Sequence, residues 1–357
     1  MPAPALRILA GPAALKALRA DGFDRDAFTV MAGASGGAKW LVLGGLDQAL
    51  ARHFIAGRRS KLFLLGSSIG AWRSCCHAQA DSLAAFERFE HAYLGQRYGP
   101  RPSAAEVSRV TREILGTLLG AHGAAEILAH PLLRLNLTAV RAKHVAAVEA
   151  PWAQKLTLGA AALTNVISPA TLRLLFTRTL FYDPRDRPPF MSPDVLPAEA
   201  VALSVDNLAP AVMATGAVPL VLQGVRDIPG APAGLYRDGG IVDYHFDCEM
   251  SGGCGLVLYP HFYPHVVPGW FDKLLPWRRV GRGALDRTVI LCPSAEFVAS
   301  LPGGKIPDRK DFWSFDDTER LRRWRIAIAE SRRLGDEFAE LVETGALAER
   351  AELLRGR

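Results

Sequence analysis

Residues 61–73 read KLFLLGSSIGAWR. The apolar run Leu62-Phe63-Leu64-Leu65 has the length and flanks of a buried strand, and it stops on Gly66-Ser67-Ser68-Ile69-Gly70 before a helical segment begins. This is G-x-S-x-G with Ser68 at its centre. A serine held on a tight strand-to-helix turn exposes its Oγ, and its neighbours two before and two after must be glycine because a Cβ there would clash. The backbone N–H of Ile69 then faces any oxyanion forming beside Ser68.

Upstream, the strand-like Phe28-Thr29-Val30-Met31-Ala32 breaks on Gly33-Ala34-Ser35-Gly36-Gly37-Ala38-Lys39, and a helical run from Trp40 to Phe54 follows. A glycine-rich loop therefore joins a strand to a helix N-terminus, where free N–H groups and the positive dipole end face any anion. Two uses compete: an oxyanion hole, or a phosphate cradle for a dinucleotide. A dinucleotide fold calls for Asp or Glu at the end of the next strand to hold the ribose. That strand ends instead in Gly66-Ser67-Ser68, which disfavours the second use.

Downstream, helices are expected over residues 11–21, from Ile69, over 81–98 and 103–130, and strands over 134–140, 179–182, 255–259 and 288–292. Residues 150–180 are Ala/Leu-rich and fit either core helices or a lid over a pocket. The run Asp206 to Val225 reads as helix then strand, with Ala214 to Pro219 at the break. Beyond it, Tyr236-Arg237-Asp238-Gly239-Gly240 follows a short strand-like segment, and Asp-Gly-Gly is also a common turn needing no chemistry. Asp316-Asp317-Thr318-Glu319 caps a long helix whose buried face is Leu321, Trp324, Ile328, Leu334, Phe338 and Leu341.

The 357 residues are 49% hydrophobic and 22% charged, an ordinary globular composition long enough for a substantial core. The net charge of +6 is spread along the chain and no nucleic-acid module accompanies it. Five cysteines without a C-x-x-C pair indicate neither a disulfide framework nor a zinc ribbon, and the histidines lack ligand spacing, so no metal is expected. The start lacks a secretory pattern and no long apolar run occurs, which predicts a cytoplasmic chain without a membrane anchor. In residues 265–282, Trp270, Phe271 and Trp277 alternate with Lys273, Arg278, Arg279 and Arg282. That is the composition of a peripheral membrane contact, and equally of a core-packing loop with a basic rim.

Taken in order, the glycine-rich strand-helix loop, G-x-S-x-G after the next strand and the distant Asp238-Gly239-Gly240 together resemble the patatin-like phospholipases. The resemblance spans roughly residues 28 to 250. It implies a three-layer α/β/α fold with a central, mostly parallel sheet over residues 1–300, and leaves 301–357 as a helical extension packed on the same domain. It also implies a Ser–Asp dyad without a catalytic histidine: Ser68 as nucleophile and Asp238 as its base. The oxyanion hole would be the N–H groups of Gly36 and Gly37, with Lys39 matching the basic residue of the family's loop. Ser35 and Trp40 replace two of that loop's glycines, and Ser35 could still present its N–H. The implied activity is hydrolysis of lipid or small acyl esters without a cofactor. Two other readings stay open. One is an α/β-hydrolase triad using His245, His261 or His265; the other is a lipid-binding scaffold without turnover.

Overall fold

The computed structural model describes residues 3–191, 199–278, 280–281 and 283–354. Arg279, Arg282 and the last residues of the proline-rich turn 184–193 lie outside them. The strands are β1 (Leu6–Ala10), β2 (Phe28–Gly33), β3 (Leu62–Ser67), β4 (Leu133–Ala142), β5 (Phe176–Tyr182) and β6 (Glu199–Ala202). Then come β7 (Val225–Arg226), β8 (Leu235–Asp238), β9 (Leu256–Pro260), β10 (Thr288–Pro293) and β11 (Glu352–Leu353). The helices are α1 (Pro12–Asp21), α2 (Gly44–Leu50), α3 (Ile69–His77), α4 (Ser82–Leu94), α5 (Ala104–Leu119) and α6 (Gly123–Ala129). They continue as α7 (Pro151–Ile167), α8 (Val205–Thr215), α9 (Ala295–Ser300), α10 (Asp311–Ser314), α11 (Asp317–Glu343) and α12 (Leu347–Arg350).

The strands form one mixed sheet in the order β11-β1-β10-β9-β2-β3-β4-β5-β6. Its centre, β10-β9-β2-β3-β4, is parallel throughout. β9 and β10 are buried at every position and β2 and β3 at all but one. Such strands read as continuous apolar runs because helices cover both faces, giving the three-layer α/β/α architecture.

β4 is the longest strand and acts as a ruler. Along one edge it pairs first with β3, parallel, up to Ser67 opposite Thr138. Along its last residues it pairs with β8, antiparallel, down to Asp238 opposite Ala139. β3 and β8 thus approach each other end to end along consecutive residues of β4. The residue that leaves β3 is Ser68 and the residue that ends β8 is Asp238.

Several elements differ from the sequence expectation. The run 40–54 is a 3-10 segment (Gly37–Leu43), the short α2 and a π-turn (Ala51–Ile55) rather than one regular helix. Helix 103–130 breaks at Gly120, whose φ of 57° is left-handed. The strand expected before Val225 shrinks to the two residues of β7, because 216–224 form turns. β1 and β11, at the two ends of the chain, had no expectation; they pair with each other, and β1 also pairs with β10. α11 is capped as expected, the Asp316 carboxylate accepting from Glu319 N–H at 2.8 Å, and its predicted face is buried. It packs on α2 where Gly335 and Gly45 allow backbone contact: a Cβ on Gly335 would lie 2.4 Å from the Gly45 carbonyl oxygen.

Candidate active site

The strand-to-helix turn after β3 holds Ser68 at φ 52°, ψ −128°, a left-handed φ that a side chain adopts only under strain. Close packing keeps it there. A Cβ on Gly70 would lie 2.1 Å from the Gly33 carbonyl oxygen, and one on Gly66 would lie 2.5 Å from the Ala71 backbone. The two motif glycines are therefore steric requirements of the strand-helix contact. Behind the turn, Arg73 on α3 grips Asp47 on α2 with two hydrogen bonds of 2.6 and 2.7 Å, and His77 approaches the same carboxylate at 3.3 Å. Burial would push the Asp47 carboxyl up, but Arg73 and His77 hold it below the usual carboxylate range.

Ser68 Oγ donates directly to Asp238 Oδ2 at 2.8 Å. The other oxygen, Oδ1, accepts from Gly240 N–H at 2.7 Å. Burial pushes the Asp238 carboxyl up to about 6, against the hydrogen bonds from Ser68 and Gly240 and the charges of Arg309 and Lys273, which pull it down. Asp238-Gly239-Gly240 is more than a turn. A Cβ on Gly239 would lie 2.1 Å from the Thr138 carbonyl oxygen, and one on Gly240 would lie 2.6 Å from Ser35 Oγ. Both glycines let this chain cross the end of β3 and the glycine-rich loop at van der Waals distance.

Thr215, the last residue of α8, ties the site together. Its hydroxyl accepts from Ser68 N–H at 2.8 Å and donates to the Thr138 carbonyl at 2.5 Å. Two residues on, Ala217 carbonyl accepts from Asp238 N–H at 3.2 Å. The segment Ala214 to Pro219 thus touches both members of the pair. A role for Thr215 was not evident from sequence, where the only signal was its place at a helix end before Gly216-Ala217-Val218-Pro219.

The glycine-rich loop lies against the same turn, with Ser35 Oγ bonded to Ser67 Oγ at 3.0 Å. The expectation that Ser35 offers its N–H is corrected: that group donates to the Tyr244 carbonyl at 3.0 Å. Gly37 and Ile69 each open a helical turn, where the N–H has no intrahelical acceptor. Gly37 has a left-handed φ of 56°, and Gly36 passes under Phe262, whose ring would lie 2.5 Å from an added Cβ. Lys39 sits 5.9 Å from the centre of that ring. Trp40 turns away from the site, buried and stacked on Phe89 with ring centres 4.5 Å apart.

Lys273, in the 3-10 turn Trp270–Leu274, places its ammonium 3.7 Å from the centre of the Tyr244 ring. Protein packed round that ammonium, with the charges of Lys39 and Arg309, lowers its pKa to about 7, although the side chain reaches solvent. Trp270 and Phe271 pack inward against a second apolar cluster, whereas Trp277 is exposed.

His245 and His261 each engage a backbone N–H of a nearby loop. His245 Nδ1 accepts from Val267 N–H at 2.9 Å, and His261 Nδ1 accepts from Tyr263 N–H at 2.8 Å. Burial holds His245 well below the usual imidazole range and His261 down to about 3, so both are neutral. His265 stacks on Tyr263 with ring centres 5.3 Å apart. The serine hydroxyl goes straight to the aspartate.

The sequence matches no protein-family model and no curated protein. Among solved structures the chain aligns with VipD from Legionella pneumophila at 13% identity and a TM-score of 0.32, covering 72% of this chain and 53% of that one. It also aligns with human GIVD cytosolic phospholipase A2 at 11% identity and a TM-score of 0.35, covering 95% and 65%. The chain therefore spans about half to two-thirds of the length of these proteins. At such scores neither likeness carries the reading of the site, which rests on its geometry.

Proposed function

We propose that the protein is a serine acyl hydrolase of the patatin-like type, acting on acyl esters of lipids or small alcohols through Ser68 and Asp238. The observation that carries this reading is the 2.8 Å hydrogen bond from a strained turn serine to a buried carboxylate poised near neutrality. Ser68 Oγ attacks the ester carbonyl carbon as its proton passes to Asp238. The oxyanion is met by N–H groups of Gly36, Gly37 and Ile69. Its collapse breaks the ester C–O bond, and Asp238 returns the proton to the departing alcohol. Water then attacks the acyl-enzyme, Asp238 takes its proton, and Ser68 leaves as the hydroxyl when the carboxylic acid is released. The patatin-like pattern, rather than a triad, accounts for a base bonded directly to the nucleophile.

A p-nitrophenyl ester series, run with wild type, Ser68→Ala, Asp238→Asn and His245→Ala, tests this. The expected result is loss in the first two variants and retention in the third, with a fluorophosphonate adduct on Ser68. An inactive, unlabelled wild type would favour a binding scaffold. Loss in a folded His245→Ala protein would favour a triad.

A further inference from the structure

Helix α7 is built inside out. Its buried residues include Gln154, Thr157 and Asn165, while Trp152, Leu156, Leu163, Val166 and Ile167 face solvent. Gln154 and the amide nitrogen of Asn165 are bonded within the protein, whereas Thr157 Oγ1 and Asn165 Oδ1 are buried without a hydrogen-bond partner among the described residues. Gln154 donates to the Glu149 carbonyl and accepts from Leu220 N–H, both at 2.7 Å, and Asn165 donates to Asp272 Oδ1 at 2.7 Å. The outward residues recur at helical spacing on one face, with Leu163 74% and Ile167 84% exposed. Leu174, Leu274 (88% exposed) and Trp277 are likewise exposed, and the 3-10 turn carrying Leu274 packs against α7. A soluble monomer normally leaves such residues scattered singly.

Charge selects the occupant. No Asp or Glu occurs between Ala150 and Tyr182, and the one acid between His265 and Arg278 is Asp272, which is buried. The charged residues exposed around this face, apart from Lys273 with its ammonium on the Tyr244 ring, are Lys155 and Arg173. A second copy of the chain would set these cations against their own kind, whereas anionic headgroups neutralise them. The face also adjoins the dyad. Beneath α7, Ala161 and Leu172 belong to one apolar cluster with Leu235 of β8 and Ile241, three residues after Asp238. The same 3-10 turn that bears Leu274 aims Lys273 at Tyr244.

We propose that the outward face of α7, with Leu174, Leu274 and Trp277, seats on an anionic lipid bilayer surface and brings the Ser68–Asp238 end of the sheet to it. The docking stands apart from the hydrolase reading, so it is measured on full-length Ser68→Ala protein, which binds without turnover. The assay is co-sedimentation with phosphatidylcholine vesicles containing about a third phosphatidylglycerol, beside pure phosphatidylcholine vesicles. Binding is expected to the anionic vesicles, weakened by high salt. Adding Leu163→Glu with Ile167→Glu should lower that binding about tenfold or more, with an unchanged melting temperature. Leu274→Glu, on a separate element, should do the same. Absent binding by the parent, or equal binding by these variants, overturns the proposal. A light-scattering dimer that the double substitution dissociates would also overturn it, in favour of a second copy on this face.

Discussion

Asp238→Asn should stabilise the fold while removing its base. The side chain is 6% exposed, and burial moves its carboxyl from 3.8 to about 6. At 1.36 kcal/mol per pH unit, keeping that group charged costs the folded state about 3 kcal/mol. The amide fits the same contacts. Its oxygen accepts from Gly240 N–H, and its NH2 donates to Ser68 Oγ, whose proton rotates away. A group raised on folding contributes most below its unfolded value, and that contribution is lost as pH climbs through its folded value. The advantage of the neutral amide therefore runs the other way. It is about 3 kcal/mol near pH 8, about half that near pH 5, and below about 1 kcal/mol near pH 4. Urea unfolding of both proteins at those three values measures it. The same proteins on a p-nitrophenyl ester should show kcat/KM of the wild type rising with pH through about 6, and little turnover in the variant. A variant no more stable than wild type near pH 8, or one whose gain ignores pH, would refute the claim that the site stores the cost of a buried charge.

Thr215→Val leaves Ser68 N–H and the Thr138 carbonyl without their partner, so kcat on the same ester should fall about 10- to 100-fold with KM little changed. Thr215→Ser should restore it, which a purely packing role for the methyl group would not allow. Gly70→Ala drives a Cβ to 2.1 Å from the Gly33 carbonyl oxygen, with backbone on both sides, and should cost about 3 kcal/mol or more in chemical denaturation.

Local signals were legible wherever one segment contained the whole physical cause. The apolar run 62–65 ending on G-x-S-x-G specifies a buried strand and a turn that no Cβ tolerates at Gly66 or Gly70, and both contacts are present. The Asp316 cap and the buried face of α11 follow from helical spacing alone. α7 was ambiguous for a physical reason: its exposed residues include Trp152, Leu156, Leu163, Val166 and Ile167 and its buried ones Gln154, Thr157 and Asn165, so composition could not say which side was core. The Ser35 N–H was misjudged because its acceptor, the Tyr244 carbonyl, lies more than two hundred residues away.

The amino-acid sequence by itself determined the alternation of strands and helices, the serine turn and the steric need for its glycines, since each depends on neighbours within a few residues. The pairing of Ser68 with Asp238, 170 residues along the chain, was implied by the resemblance alone, and only the tertiary structure supplies its physical cause. That pairing arises because β3 and β8 hydrogen-bond to consecutive stretches of one edge of β4, which stops them at Thr138 and Ala139. No tight turn joins β3, β4 and β8, so their relative register is fixed only when the sheet assembles.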